Sequence, residues 1–71
     1  MTSGTIEKLV RERGFGFIKC NGGPDLFFHC SQVNRTAFES MREGQSVAFQ
    51  VNLGHHGFQA VNVKPIEQRI K

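Results

Sequence analysis

The side chains with the clearest chemical use in this sequence are phenylalanines that stand near basic residues. Phe15 and Phe17 are separated by one glycine, and Phe27 lies in the next apolar run. Lys19 and His29 each follow a phenylalanine by two positions, so in an extended strand they lie on the same face as that ring. Aromatic rings stack on bases while cations meet phosphates, and this combination therefore suits single-stranded nucleic acid.

Short strands are the elements that must position these rings. Glycine-containing breaks alternate with apolar runs rich in Val, Ile and Phe, which favours strands over helices. The segments "NGGPD" and "GHHG" predict turns, and the longest gap has room for one helical turn. Five strands predict an all-β fold, a small antiparallel barrel, because closure removes exposed strand edges. The predicted strands are residues 5–11, 15–20, 25–30, 46–53 and 58–64, with turns at 21–25 and 54–57 and the helical turn within 31–45.

Alternation along the predicted strands separates an inner face from an outer face. In the fourth strand, apolar side chains occupy every second position from Val47 to Val51. The same rule gives the second and third strands an outer face that carries Phe15, Phe17 and Phe27. The predicted core consists of Ile6, Ile18, Leu26, Phe28, Val33, Met41, Val47, Phe49, Val51 and Val63.

An exposed patch of three phenylalanines is a liability for a soluble protein unless a ligand covers it. Gly14 and Gly16 flank Phe15, and without side chains they are expected to leave the rings open to a ligand. The net charge of +3 and a pI near 9.3 are compatible with a polyanionic partner. The sequence therefore indicates a binding face rather than an aromatic core.

Two motifs in this region resemble those of the cold-shock domain family. "RGFGFI" at 13–18 looks like the first ribonucleoprotein motif, and "LFFHC" at 26–30 resembles the second as it occurs in that family. RNA-recognition-motif domains carry the two motifs in the opposite order and contain two substantial helices, which are not predicted here. The resemblance continues through "EGQSVAF" at 43–49 and "QAVNV" at 59–63. It implies a five-stranded OB-type barrel that binds single-stranded RNA and DNA on strands two and three.

The resemblance also implies which residues form the site. The family's stacking positions correspond to Phe15, Phe17, Phe27 and His29, with a further loop aromatic at Phe38. A basic residue ahead of the first motif corresponds to Arg13, and nearby cations and one further ring extend the set. The predicted nucleic-acid-binding residues are Lys8, Arg13, Phe15, Phe17, Lys19, Phe27, His29, Phe38 and Phe58.

Some positions depart from the pattern of the bacterial family. Its first strand usually reads Lys-Trp-Phe-Asn where this chain has Glu-Lys-Leu-Val at 7–10, so Lys8 replaces an exposed ring. Cys30 replaces a phenylalanine that usually follows the histidine of the second motif, and Phe58 replaces a common proline. With fewer stacking rings, we expect binding that is weaker or more electrostatic than is typical of the family.

Other classes of function find little support in the sequence. The two cysteines are too few for a disulfide framework, and together with the histidines they lack the spacing of a zinc site. We therefore expect neither a metal nor another cofactor. No combination of nucleophile and base, and no dinucleotide-binding loop, indicates an enzyme or a small-molecule substrate.

The remaining expectations concern location and organisation. No apolar run approaches the roughly 20 residues of a membrane span, and no signal peptide is evident, so we expect a cytoplasmic monomer without a membrane partner. One domain at 1–66 and a polar tail at 67–71 are predicted. The expected role is that of an RNA chaperone or a regulator of transcription or translation. The alternative is a protein-interaction module on the same fold with weakened nucleic-acid binding.

Overall fold

Five strands close into a barrel in the computed structural model, which describes residues 2–20, 22–54 and 57–66. The predicted strands are all confirmed, with small differences at their ends. The predicted helical turn is present as a short α-helix preceded by a 3₁₀ turn. The elements are β1 (Thr2–Val10), a 3₁₀ turn (Arg11–Arg13), β2 (Phe15–Cys20), β3 (Leu26–His29), a second 3₁₀ turn (Cys30–Gln32), α1 (Arg35–Ser40), β4 (Ser46–Gly54) and β5 (Gly57–Pro65).

The sequence had led us to expect a barrel that is antiparallel throughout, but one of its strand pairings is parallel. The strand order around it is β1-β2-β3-β5-β4, and β3 pairs in parallel with β5 where Phe27 faces Gln59. Every other pairing is antiparallel. A closed ring with an odd number of strands cannot alternate direction everywhere. Two neighbours must run the same way, and here they are β3 and β5.

A β-bulge in β1 reverses the alternation of that strand. Ile6 pairs with Ile18, but Lys8 pairs with Phe17, so Glu7 is an extra residue on the β1 side. Ile6 is buried and Lys8 is exposed, although residues two apart in a regular strand share a face. The bulge therefore allows β1 to contribute both to the core and to the outer surface.

The predicted core is confirmed except at Val51. The other nine residues are buried, together with Phe38 and Ala60, which the prediction had not included. Val51 is 47% exposed. The apolar alternation of β4 continues through Val51, but β4 pairs with β1 only as far as Phe49, and from Gln50 onward it has only β5 beside it in the described ranges.

The predicted turns lie partly outside the described residues. Gly54 pairs with Gly57, which confirms the hairpin between β4 and β5. Residues 55–56 of this turn, residue 21 of the other turn and the predicted tail at 67–71 lie outside the described residues.

Asn34 caps α1, because its Oδ1 accepts hydrogen bonds from the backbone N–H groups of Thr36 at 3.0 Å and Ala37 at 3.4 Å. Among the described residues, no helix has both the length and the apolar character needed to cross a membrane.

Candidate nucleic-acid interface

Three neighbouring strands bring the outward phenylalanines into one continuous surface. Residues directly opposite each other in antiparallel strands lie on the same face of the sheet. Phe17 has Lys8 of β1 on one side and Phe27 of β3 on the other, and Phe15 lies in the same way between Val10 and His29. We call the surface formed by Lys8, Val10, Phe15, Phe17, Phe27 and His29 the aromatic face.

The three rings of the aromatic face contact one another. The centroid of Phe15 lies 5.9 Å from that of Phe17 and 5.6 Å from that of Phe27, and Phe17 and Phe27 are 5.9 Å apart. These separations are in the range of favourable aromatic pairs. All three rings are half-buried, so mutual packing fixes their orientation and leaves part of each exposed. The result is a preformed apolar surface on which bases can stack.

Gly16 faces the core, contrary to the expectation that it clears space above the rings. It is buried, and a Cβ there would lie 2.7 Å from the ring of Phe28 and 2.7 Å from the carbonyl oxygen of Lys8. Gly16 supports the aromatic face from beneath because it lets Phe28 pack directly under β2. Gly14 has φ +77°, and this left-handed conformation ends the 3₁₀ turn that precedes β2.

His29 is oriented by hydrogen bonds to the residues that follow β3. Its Nδ1 accepts the backbone N–H of Ser31 at 3.1 Å and lies 3.0 Å from the Ser31 hydroxyl. Because a backbone N–H can only donate, this contact assigns the acceptor role to Nδ1 and the N–H of the neutral ring to Nε2. The exposed ring of His29 therefore presents an Nε2–H donor at the edge of the aromatic face.

Exposed cations accompany the aromatic face: Lys8 belongs to it, Lys19 follows Phe17 by two residues on β2, and Arg13 precedes Phe15 by two residues. Lys8, Arg13 and Lys19 are exposed, and none of them forms an ion pair with another residue in the described ranges. Arg11 differs, because its guanidinium donates a hydrogen bond to the Met41 carbonyl oxygen and so ties the first 3₁₀ turn to the barrel. Three positive charges are thus available to meet a polyanion.

Two predicted site residues lie away from the aromatic face. Phe38 was expected in a loop, but it lies on α1, is only 8% exposed and packs edge-to-face on Phe28 at 6.4 Å, so it belongs to the core. Phe58 is 62% exposed, but it pairs with Leu53 near the turn end of the β4–β5 hairpin. Because Gln59, the next residue, lies beside Phe27, alternation turns Phe58 to the opposite side of β5.

The structure also adds residues that the sequence did not reveal. Gln59 borders the aromatic face beside Phe27, and Val10 is part of it beside Phe15. Gln59 could not be found by alternation, because its position depends on the pairing of two strands that are distant in sequence. Val10 could be found only by locating the bulge in β1, which shifts the face that its side chain occupies.

The two cysteines are free thiols in different surroundings. Burial, and to a smaller extent the negative charge of Asp25, raises the pKa of the Cys20 thiol above its ordinary value. Cys30 is half-buried, and its Sγ would lie 3.0 Å from a Cβ placed on Gly14. In the part of the chain that the structure describes, no group of His, Cys, Asp or Glu side chains could hold a metal ion.

Comparison with known proteins identifies relatives along almost the whole chain. A family model described as "'Cold-shock' DNA-binding domain" matches residues 2–66. Cold shock protein ScoF of Streptomyces coelicolor is 44% identical over 66 residues, which cover 92% of this chain and 98% of that protein. Cold shock protein CspA of Staphylococcus saprophyticus is 46% identical over 63 residues, and the major cold shock protein of Streptococcus pyogenes serotype M6 is 44% identical over 63 residues. These matches cover 89% of this chain and 96% and 94% of those two proteins, respectively.

Proposed function

The chain belongs to the cold-shock domain family, and from this premise we propose that it binds single-stranded RNA or DNA by stacking bases on the aromatic face. The observation that carries the proposal is the contact of three half-buried rings on the outside of the barrel. A base has two flat faces regardless of its identity, so such a surface accepts many sequences. We therefore expect little sequence preference.

The polar groups around the rings complete the proposed site. Lys8, Arg13 and Lys19 supply positive charge to the phosphates of a strand whose bases lie on the rings. The Nε2–H of His29 can donate to a base or a phosphate oxygen. These contacts hold the strand in place without reading each base separately, because most of them concern the backbone or the π-face.

Stacking on the aromatic face gives the protein a means of opening weak base pairs. A base that lies against Phe15, Phe17 or Phe27 cannot pair at the same time, so binding shifts the equilibrium of a hairpin towards its open form. Mass action drives this step and no nucleotide hydrolysis is required. In this way the protein acts as an RNA chaperone and can regulate transcription or translation.

The proposal places this activity in the cytoplasm. Both cysteines are free thiols, which fits a reducing compartment. The alternative of a protein-interaction module is not favoured, because the chain matches a nucleic-acid-binding family over its entire barrel. A simple check is the ultraviolet spectrum of the purified protein: a chain without Trp or Tyr absorbs little near 280 nm, so co-purified nucleic acid is readily seen.

Alanine substitution on the aromatic face tests the proposal. We expect Phe15→Ala and Phe27→Ala each to weaken binding of a fluorescently labelled oligothymidine by roughly 1 to 3 kcal/mol, the value of one stacked base. Leu53→Ala is the matched control, because it also removes an exposed apolar side chain but lies outside the aromatic face. Titrations at nanomolar protein measure the affinity, and circular dichroism verifies the fold. Affinities unchanged in both phenylalanine variants would refute the proposed site.

A further inference from the structure

The β4–β5 hairpin differs in charge from the rest of the chain. Residues 46–63 contain no Asp, Glu, Lys or Arg, whereas the whole chain has nine basic and six acidic residues. This segment includes all of β4 and most of β5. Strands at the edge of a sheet commonly carry charged residues, especially lysine, which discourage association with other molecules. The hairpin lacks that protection.

One face of the hairpin carries a cluster of exposed hydrophobic side chains. Three of the four large hydrophobic side chains that are exposed among the described residues lie here: Val51 at 47%, Leu53 at 68% and Phe58 at 62%. Leu53 and Phe58 are directly paired, and Val51 follows on the same side of β4. We call these three side chains the hairpin patch.

The hairpin patch borders an apolar groove. Val51 and Phe58 line one wall of a cavity of about 350 Å³, and Cys20, Pro24 and Leu26 line the other, with Asp25 as the one charged residue of the lining. The outer edge of β4 is also open there, because pairing with β1 ends at Phe49 and in the described ranges residues 50–54 have only β5 beside them. An apolar patch, a groove and an unguarded strand edge thus occur together.

We propose that two copies of the chain associate through the hairpin patch about a twofold axis. Each molecule carries a net charge of +3, so two copies repel unless they meet on an uncharged surface, and the hairpin is such a surface. A polyanion would find no cation on this patch and would meet the negative charge of Asp25 in the adjoining groove. A twofold contact uses the same patch on both copies and closes on itself, which gives a dimer and not a fibre.

The contact leaves the aromatic face free. Phe58 and Gln59 lie on opposite sides of β5, and Gln59 is the residue beside Phe27. The hairpin patch consists of three side chains, whereas a standard interface has about 20 to 30 residues on each side, so the proposed dimer forms only at high concentration. The proposed dimer differs from the monomer expected from the sequence, and it does not depend on the proposed nucleic-acid binding.

Sedimentation velocity of the protein without nucleic acid tests the proposal. Interference optics are suitable because the chain lacks Trp and Tyr. From about 10 μM to about 1 mM, the mass is expected to rise from 8.0 kDa towards twice that value. Leu53→Glu buries a charge at the contact and is expected to weaken association at least roughly tenfold. Asn52→Glu, the matched control on the other side of β4, is expected to change the association constant by less than roughly threefold.

Three results would overturn the dimer. The protein could remain at 8.0 kDa up to the highest concentration. Leu53→Glu and Asn52→Glu could weaken association equally, which would indicate a general effect of charge. Leu53→Glu could also lower oligonucleotide affinity while the mass of the free protein stays constant, in which case the hairpin patch contacts nucleic acid. High salt separates the two interactions, because it weakens phosphate contacts and leaves an uncharged apolar contact intact.

Discussion

Replacement of Gly16 by alanine separates a role in packing from a role in ligand access. The added Cβ would approach both the ring of Phe28 and the carbonyl oxygen of Lys8 to 2.7 Å. Phe28 is completely buried, and the Lys8 carbonyl belongs to the neighbouring strand, so neither atom can move without disturbing the barrel. Nothing in this geometry brings the new methyl group to the outer surface of the aromatic face.

The size of the effect follows from two opposing contributions. Overpacking a well-filled core costs about 1 to 3 kcal/mol. Alanine in a strand loses less backbone entropy on folding than glycine does, which returns about 0.5 to 1 kcal/mol. The difference lies between about 0 and 2.5 kcal/mol, and we expect Gly16→Ala to lower the free energy of unfolding by roughly 1 kcal/mol, with each kcal/mol lowering Tm by about 4 to 8 °C in a domain of this size.

Thermal and urea denaturation followed by circular dichroism measure this loss of stability. Gly23→Ala is the control, because a Cβ at that position meets no atom within 4 Å and Gly23 is not among the glycines with positive φ. Gly23→Ala should leave the stability close to that of the parent chain. At a temperature where Gly16→Ala remains folded, its oligonucleotide affinity should be unchanged. A variant as stable as the control but impaired in binding would refute the packing role of Gly16.

Two further substitutions test the charges near the site. Lys8→Trp places a ring beside Phe17 and removes one phosphate contact. Binding at high salt should therefore become more favourable by roughly 1 to 3 kcal/mol. The slope of the logarithm of the binding constant against the logarithm of the salt concentration should become shallower, from about −2 to about −1.4. Titration at several salt concentrations measures both, and weaker binding at every salt concentration would contradict the stacking model. Asp25→Asn removes the smaller of the two causes that raise the pKa of Cys20. The Cys20 thiol should therefore react faster with iodoacetamide at mildly alkaline pH, measured by mass spectrometry with Cys30 as internal reference, and an unchanged rate would argue against the influence of Asp25.

The sequence predicted the fold where alternation is regular and local. In β2 and β3, period-two alternation separated Ile18, Leu26 and Phe28 from the three outward phenylalanines. In β1 alternation alone would place Lys8 on the same side as Ile6, but the bulge at Glu7 shifts the pattern by one residue. The prediction failed at Val51, where alternation continues but the pairing of β4 with β1 has ended. Periodicity reports which side a residue occupies, but not whether anything covers that side.

Phe38 shows the limit of assigning a role by resemblance alone. The sequence contains a local signal for its true environment, because Asn34 is a good N-cap and Phe38 and Met41 are three residues apart. That spacing predicts a short helix with both side chains turned to the core, and both are buried. The parallel pairing of Phe27 with Gln59 had no comparable local signal, since it depends on closure of the whole barrel.

The bulge in β1 has a consequence for how this surface can change through mutation. Because Glu7 takes up the irregularity, Ile6 packs inside while Lys8 projects outward, and the two sides of the strand are independent of each other. A cation or a ring at position 8 can be exchanged without altering the interior, so ligand preference can evolve separately from folding. Deletion of Glu7 would remove that independence, because every residue of β1 before it would then move to the opposite side of the sheet.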